Sequence, residues 1–152
     1  IGIILGQMLG ADRISEAKDA SRKLIAFSLF MSLIVGSVYF IAAEYIPHAY
    51  AVSNDVKQLA TQLMRITAVV MPLDAFANAS YFTLRSGGKT VVTVLFDSCF
   101  VWCVTVAVAS ILVNFTTLPI LALFGICQGL NIIKCIIGFI LVKKGIWIQN
   151  IV

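Results

Sequence analysis

Charged side chains are scarce, at 12% of 152 residues, and only seven of them are acidic. A soluble domain carries about twice that share of charge, so water is not the main solvent of this chain. Histidine occurs once, at position 48, and the four cysteines, Cys99, Cys103, Cys127 and Cys135, show no CxxC spacing. Neither a zinc centre nor a disulfide framework is indicated, and the cysteines read as small buried hydrophobes. With no second histidine beside it, His48 reads as a solvated loop residue. No nucleophile, base and orienting group converge on one face, so the sequence is not that of an enzyme. The net charge of +4 does not mark a nucleic-acid binder, because Lys and Arg fall in short gaps between apolar runs and form no basic face.

What the sequence has in quantity is apolar length. Hydrophobic residues make up 61% of the chain and the mean hydropathy is +1.02. Four runs, 24–46, 56–84, 91–113 and 120–142, are each long enough to cross a hydrocarbon core of about 30 Å as a helix. The second is longer than a straight crossing requires, which predicts tilt or extension beyond the bilayer. Residues 1–9 read as the inner end of a further span, with Gly2, Gly6 and Gly10 offering a smooth face for close helix packing. Because the chain starts at Ile1, inside that span, it is expected to be a fragment of a longer protein. The polar stretch 10–23 is too charged to cross and reads as a loop leading into a short amphipathic surface helix.

The fold class that follows is an all-α membrane protein, an antiparallel bundle of four full spans plus the end of a fifth. Eight of the eleven basic residues lie in the stretch 10–23, the turn 85–89 and the tail at Lys143 and Lys144, whereas Lys57 alone lies on the opposite side. The positive-inside rule makes the first side cytoplasmic, C-terminus included. Arg85, Gly87, Gly88 and Lys89 form a tight turn there, since paired glycines reach backbone angles closed to other residues. Lys143, Lys144 and Trp147 read as an interfacial anchor.

Ionisable residues inside spans are costly and therefore informative. Asp74 sits near the middle of the second span, two residues after Pro72, whose ring removes a backbone hydrogen bond and kinks a helix. Asn78 lies one turn further on the same face. Asp74, Asn78 and a carbonyl freed near Ala68 would suit a small hard cation such as sodium, or a carboxylate that carries a proton. A structural Asp that locks helix packing is the alternative. Arg65 lies on the opposite helical face from Asp74 and can snorkel to the outer surface. Asp97 and Lys134 lie on consecutive antiparallel spans, equally far from the turn near Phe115 and Thr116, so they are predicted to pair. A structural ion pair is favoured there over a transport role.

Other features carry plainer readings. Gly125 and Gly129 repeat the small-residue spacing, and Gln128 between them can bond to a neighbouring helix. Trp102, Phe96 and Phe100 either line a cavity for aromatic cations or face lipid. Asn114-Phe115-Thr116 matches a glycosylation acceptor, but its loop is too short and too close to the membrane for that use.

Several of these features occur together, and in this order, in one family. The small-residue run Gly6-Gln7-Met8-Leu9-Gly10-Ala11-Asp12 comes first. Ala17 with the basic start of the next helix follows, then Pro72 and Asp74, then Leu84-Arg85-Ser86-Gly87-Gly88-Lys89-Thr90, Asp97 with Trp102, and a Lys-rich tail containing Trp147. On these residues the chain resembles the C-terminal part of a multidrug and toxic compound extrusion (MATE) transporter. The resemblance implies two six-helix bundles around a central cavity, with the four spans as the ninth to twelfth helices. It also implies a multi-pass plasma-membrane antiporter that exports cationic, often aromatic compounds in exchange for sodium ions or protons, with no other cofactor. The implied partners are the lipid bilayer, the remaining helices of the same transporter and small organic cations. Some members carry a cation-binding acid at the place of Asp74, eleven residues before the Arg of the turn, and others use one in the N-terminal bundle. Two alternatives stand beside it: a lipid-linked oligosaccharide flippase of the same superfamily, and a small self-assembling membrane protein without transport activity.

Overall fold

The computed structural model describes residues 1–88, 91, 93 and 95–148. Lys89 and Thr90 of the basic turn, and the side chain of Phe96, lie outside the described residues. Among the described residues all regular structure is helical. Helix α1 (Gly2–Gly10) stops at Asp12, which takes a left-handed conformation with φ 58°. There the amide of Arg13 donates to the Met8 carbonyl at 3.0 Å, and that of Asp12 to the Leu9 carbonyl at 3.1 Å. These are the paired bonds of a Schellman cap, and aspartate accepts the left-handed angle better than most residues with a Cβ.

Helix α2 (Ile14–Tyr45) follows at once and runs unbroken for 32 residues. This corrects the expected loop and separate surface helix over 10–23. Charge keeps that stretch out of hydrocarbon, but Glu, Lys and Arg are good helix formers, and the buried Ala17 and Ser21 fix the first turns against the rest of the bundle. A 3₁₀ turn (Ile46–Ala49) started by Pro47 reverses the chain. Helix α3 (Asn54–Ser86) has 33 residues. At 1.5 Å per residue it is about 50 Å long, well beyond a hydrocarbon core of about 30 Å, and Pro72 lies inside it without ending it.

Helices α2 and α3 pack closely at Gly36, where a Cβ would lie 3.1 Å from the Ala68 carbonyl oxygen and 3.8 Å from the Met71 side chain. Ala68 is also the residue whose carbonyl Pro72 cannot bond, so the freed oxygen sits against α2. Nearer the opposite end from α1, Arg65 pairs with Glu44 at 2.9 Å and lies 5.4 Å over the Phe40 ring.

The third span begins with two π-helical segments, Leu95–Cys99 and Val101–Val106, and continues as α4 (Ala107–Phe115). Thr116 is extended, and Pro119 caps α5 (Ile120–Gly129). A turn at Leu130 separates α5 from α6 (Asn131–Lys143), so the fourth span is two helices in line. Four helical stretches, Ile14–Ala49, Asn54–Ser86, Asp97–Phe115 and Ile120–Lys143, are long and apolar enough to cross a membrane. Their outward faces agree with that: Phe27, Phe30, Val38 and Ile41 are each at least 60% exposed, an apolar surface that lipid tolerates and water does not.

The best-packed region is a small core at the basic end, where Leu9, Ala17, Leu84 and Trp147 are almost fully buried and Met8 and Leu141 pack against them. Trp147 is only 1% exposed and donates its indole N–H to the Val142 carbonyl at 3.3 Å. It is therefore a core residue, and the reading of it as an interfacial anchor is corrected. The reason is Gly87. A Cβ at that position would lie 1.8 Å from the Trp147 carbonyl oxygen, so the glycine lets the tail close over the end of α3. By contrast Gly6, Gly10, Gly125 and Gly129 have nothing within 4 Å of where a Cβ would stand, and their faces are uncovered among the described residues. The cysteines also differ from expectation: only Cys135 is buried, while Cys99 and Cys103 are exposed on the π-helical span.

Candidate functional site

The polar side chains within the spans gather between α3, α6 and the third span. Asp74 is half-buried on α3, and its Oδ1 accepts a hydrogen bond from Asn131 Nδ2 at 2.8 Å. The same amide nitrogen lies 3.2 Å from Gln128 Oε1, so both of its hydrogens are engaged. Asn131 is the first residue of α6, and the turn at Leu130 brings it and Gln128 together on the side facing α3. One turn along α6, the Cys135 thiol donates to the Leu73 carbonyl at 3.2 Å. These contacts join the broken fourth span to the stretch of α3 that follows Pro72.

Asn78 is placed apart from the carboxylate. Its side chain is exposed, and its amide donates to the backbone carbonyl of Asp74 at 2.9 Å. The carbonyl near Ala68 likewise faces Gly36 on α2. Asp74 therefore meets the amide nitrogen of Asn131, which Gln128 also holds, in place of the oxygens anticipated from Asn78 and Ala68. Asn131 is the residue that sequence reasoning missed. A neutral amide in an apolar run carries no charge to flag it, although its place directly after a Gly-Leu pair in a span is an available signal.

The structure brings Asp97 and Lys134 together. Lys134 Nζ lies 2.8 Å from Asp97 Oδ1 and 5.6 Å over the Phe100 ring. The lysine side chain is 12% exposed and the aspartate 56%, so the cation is the buried partner. With Lys134 paired to Asp97, an ionised Asp74 has no ion-pair partner among the described residues, and in a low-dielectric setting it favours the arrival of one positive charge.

Elsewhere, Gly88 adopts φ +77°, an angle that favours glycine, whereas Gly87 at φ −85° is needed for space and not for its angle. Arg85 is exposed in the last turn of α3, where a cation suits the helix dipole. Trp102 is 72% exposed on the third span and borders none of the three main hollows among the described residues. His48 contacts the Glu44 carbonyl through Nδ1 at 2.7 Å. With Glu44, Lys57 and Arg65 it borders a polar hollow of about 410 Å³ at the end of the bundle opposite the Trp147 core. No group of three or more His, Cys, Asp or Glu side chains able to hold a metal ion occurs among the described residues.

The MatE family model matches residues 1–102, from α1 through the first half of the third span. Among curated proteins and solved structures, none matches the chain.

Proposed function

The chain belongs to the MatE family, and from that premise we propose that it forms the C-terminal bundle of a secondary active efflux antiporter, with Asp74 as the site where the coupling ion acts. The family implies a MATE-type transporter in a membrane, and the four long apolar helices agree with a multi-pass protein. In this reading a cationic or aromatic compound is exchanged for a proton or sodium ion, in a plasma membrane with the basic end of the bundle cytoplasmic. That orientation rests on the clustering of Lys and Arg at one end.

The observation that supports the coupling role is the half-buried Asp74 carboxylate, which accepts the Asn131 amide at 2.8 Å and forms no ion pair among the described residues. Arrival of a proton or sodium ion at Asp74 neutralises that negative charge and weakens the bond from Asn131. Because Asn131 opens α6 directly after the turn at Leu130, loss of that bond changes how the two halves of the fourth span sit on α3. The ion-bound and ion-free bundles then prefer different helix arrangements, and release of the exported compound follows that preference. Asp74 supplies the carboxylate, an oxygen donor suited to a proton or a hard cation. Asn78, one turn away and exposed, takes a marginal part. The test is gradient-driven efflux by the intact transporter carrying Asp74→Asn, which is expected to be lost while the protein still inserts in the membrane.

A further inference from the structure

At the basic end of the bundle a cavity of about 790 Å³ opens between α2, α3 and α6, within the size range of sites that enclose small molecules. Its rim carries four cations: Lys18 and Arg22, one turn apart on α2, and Lys143 and Lys144 at the end of α6. None of the four forms an ion pair among the described residues, and no acidic side chain among them lines the cavity. Its interior is apolar, with Ile25, Leu29, Phe76 and Phe139 extending from the rim into the depth of the spans. From Lys18 to Leu29 the α2 wall rises about 16 Å at 1.5 Å per residue, the reach of a cleft that starts at the membrane surface and ends among acyl chains. Trp147 and Ile148 close the end nearest the core.

A cationic rim above an apolar cleft open at its side matches one chemistry: a phosphate on an apolar chain. We infer that this cavity binds an anionic phospholipid from the leaflet at the basic end, its phosphate among Lys18, Arg22, Lys143 and Lys144 and an acyl chain along Leu29, Phe76 and Phe139. A free anion would gain from the rim and nothing from the cleft, and a zwitterionic lipid would leave the four cations without net compensation. Basic pockets between membrane helices hold acidic headgroups by this same pairing. The bound lipid would bridge α2 to α6, two helices that the polar contacts of Asp74 do not join directly.

Trp147 supplies the readout, because it lines the cavity and Trp102 is the only other tryptophan. The full chain carrying Trp102→Phe is placed in nanodiscs of phosphatidylcholine, with either phosphatidylglycerol or phosphatidylcholine brominated on its acyl chains at equal mole fraction. The brominated anionic lipid is expected to quench Trp147 the more strongly, with saturation at low mole fraction. Each of Lys18→Gln, Arg22→Gln, Lys143→Gln and Lys144→Gln should weaken that preference about five-fold. All four side chains are exposed, so each single variant is expected to fold. Equal quenching by both lipids, or a preference that survives in all four variants, overturns the inference. Loss of the preferential quenching on adding millimolar inorganic phosphate overturns it as well, by assigning the rim to small anions.

Discussion

Asn131 and Asp74 meet at 2.8 Å although 57 positions separate them, and their bond fastens the interrupted fourth span to α3 just beyond Pro72. In the proposed mechanism a change at the Asp74 carboxylate reaches the turn at Leu130 through this bond.

Breaking that contact from either side should therefore have the same effect. Asn131→Ala and Asp74→Ala are expected to lower thermal stability in detergent by about 0.6–2 kcal/mol each, the range for hydrogen bonds between membrane helices. The double variant should cost less than the sum of the two. Strict additivity in that cycle would show that the two residues do not interact.

Lys134 and Asp97 form a second, separable link. Asp97→Asn with Lys134→Gln should show a coupling of about 0.5–3 kcal/mol. Lys134→Gln alone should be the less harmful of the two singles, because it leaves an exposed carboxylate, whereas Asp97→Asn leaves a buried ammonium without its closest partner. Melting temperatures of the three variants decide the order.

At the basic end, Gly87→Ala is expected to cost at least about 1–3 kcal/mol, the usual penalty for an overpacked site, because its Cβ would meet the Trp147 backbone at 1.8 Å. In a Trp102→Phe background the Trp147 emission should shift to the red as the tail is pushed into water. Gly6→Ala and Gly129→Ala, with open space at the Cβ position, should leave both stability and emission unchanged.

The ion pair between Glu44 and Arg65 is more exposed, at 66% and 41%, and belongs to the class of surface pairs worth about 0–1 kcal/mol. Glu44→Gln should accordingly change the melting temperature little, and any change should shrink when salt is raised to about 1 M. A large, salt-insensitive loss would mean that this end of α2 and α3 is shielded from water.

Much of this architecture is legible in the amino-acid order, for definite reasons. Span number and length follow from hydropathy, because a bilayer imposes a fixed thickness on apolar runs. The proximity of Asp97 and Lys134 follows from their equal distances from one turn. The same rule applied to the turn near Asn54 finds Glu44 and Arg65, although each taken singly points only to nearby water. The stretch 10–23 misleads because charge governs passage through lipid and does not govern helix formation. Trp147 misleads because its burial depends on Gly87, sixty residues earlier, and no local pattern reports that approach. The π-helical start of the third span, and the turn that presents Asn131 to Asp74, arise from packing between spans and leave no periodic mark in the chain.

The central claim is that Asp74 couples an ion gradient to export, and one measurement addresses it most directly. Cells or vesicles containing the intact transporter, with or without Asp74→Asn, are loaded with a fluorescent organic cation, and efflux is followed after a proton or sodium gradient is imposed. Membrane amounts of the two proteins are matched beforehand. The variant is predicted to insert normally and lose gradient-driven efflux, while Asp97→Asn retains a measurable part of it. Full gradient-driven efflux by Asp74→Asn would contradict the claim and return Asp74 to a purely structural role.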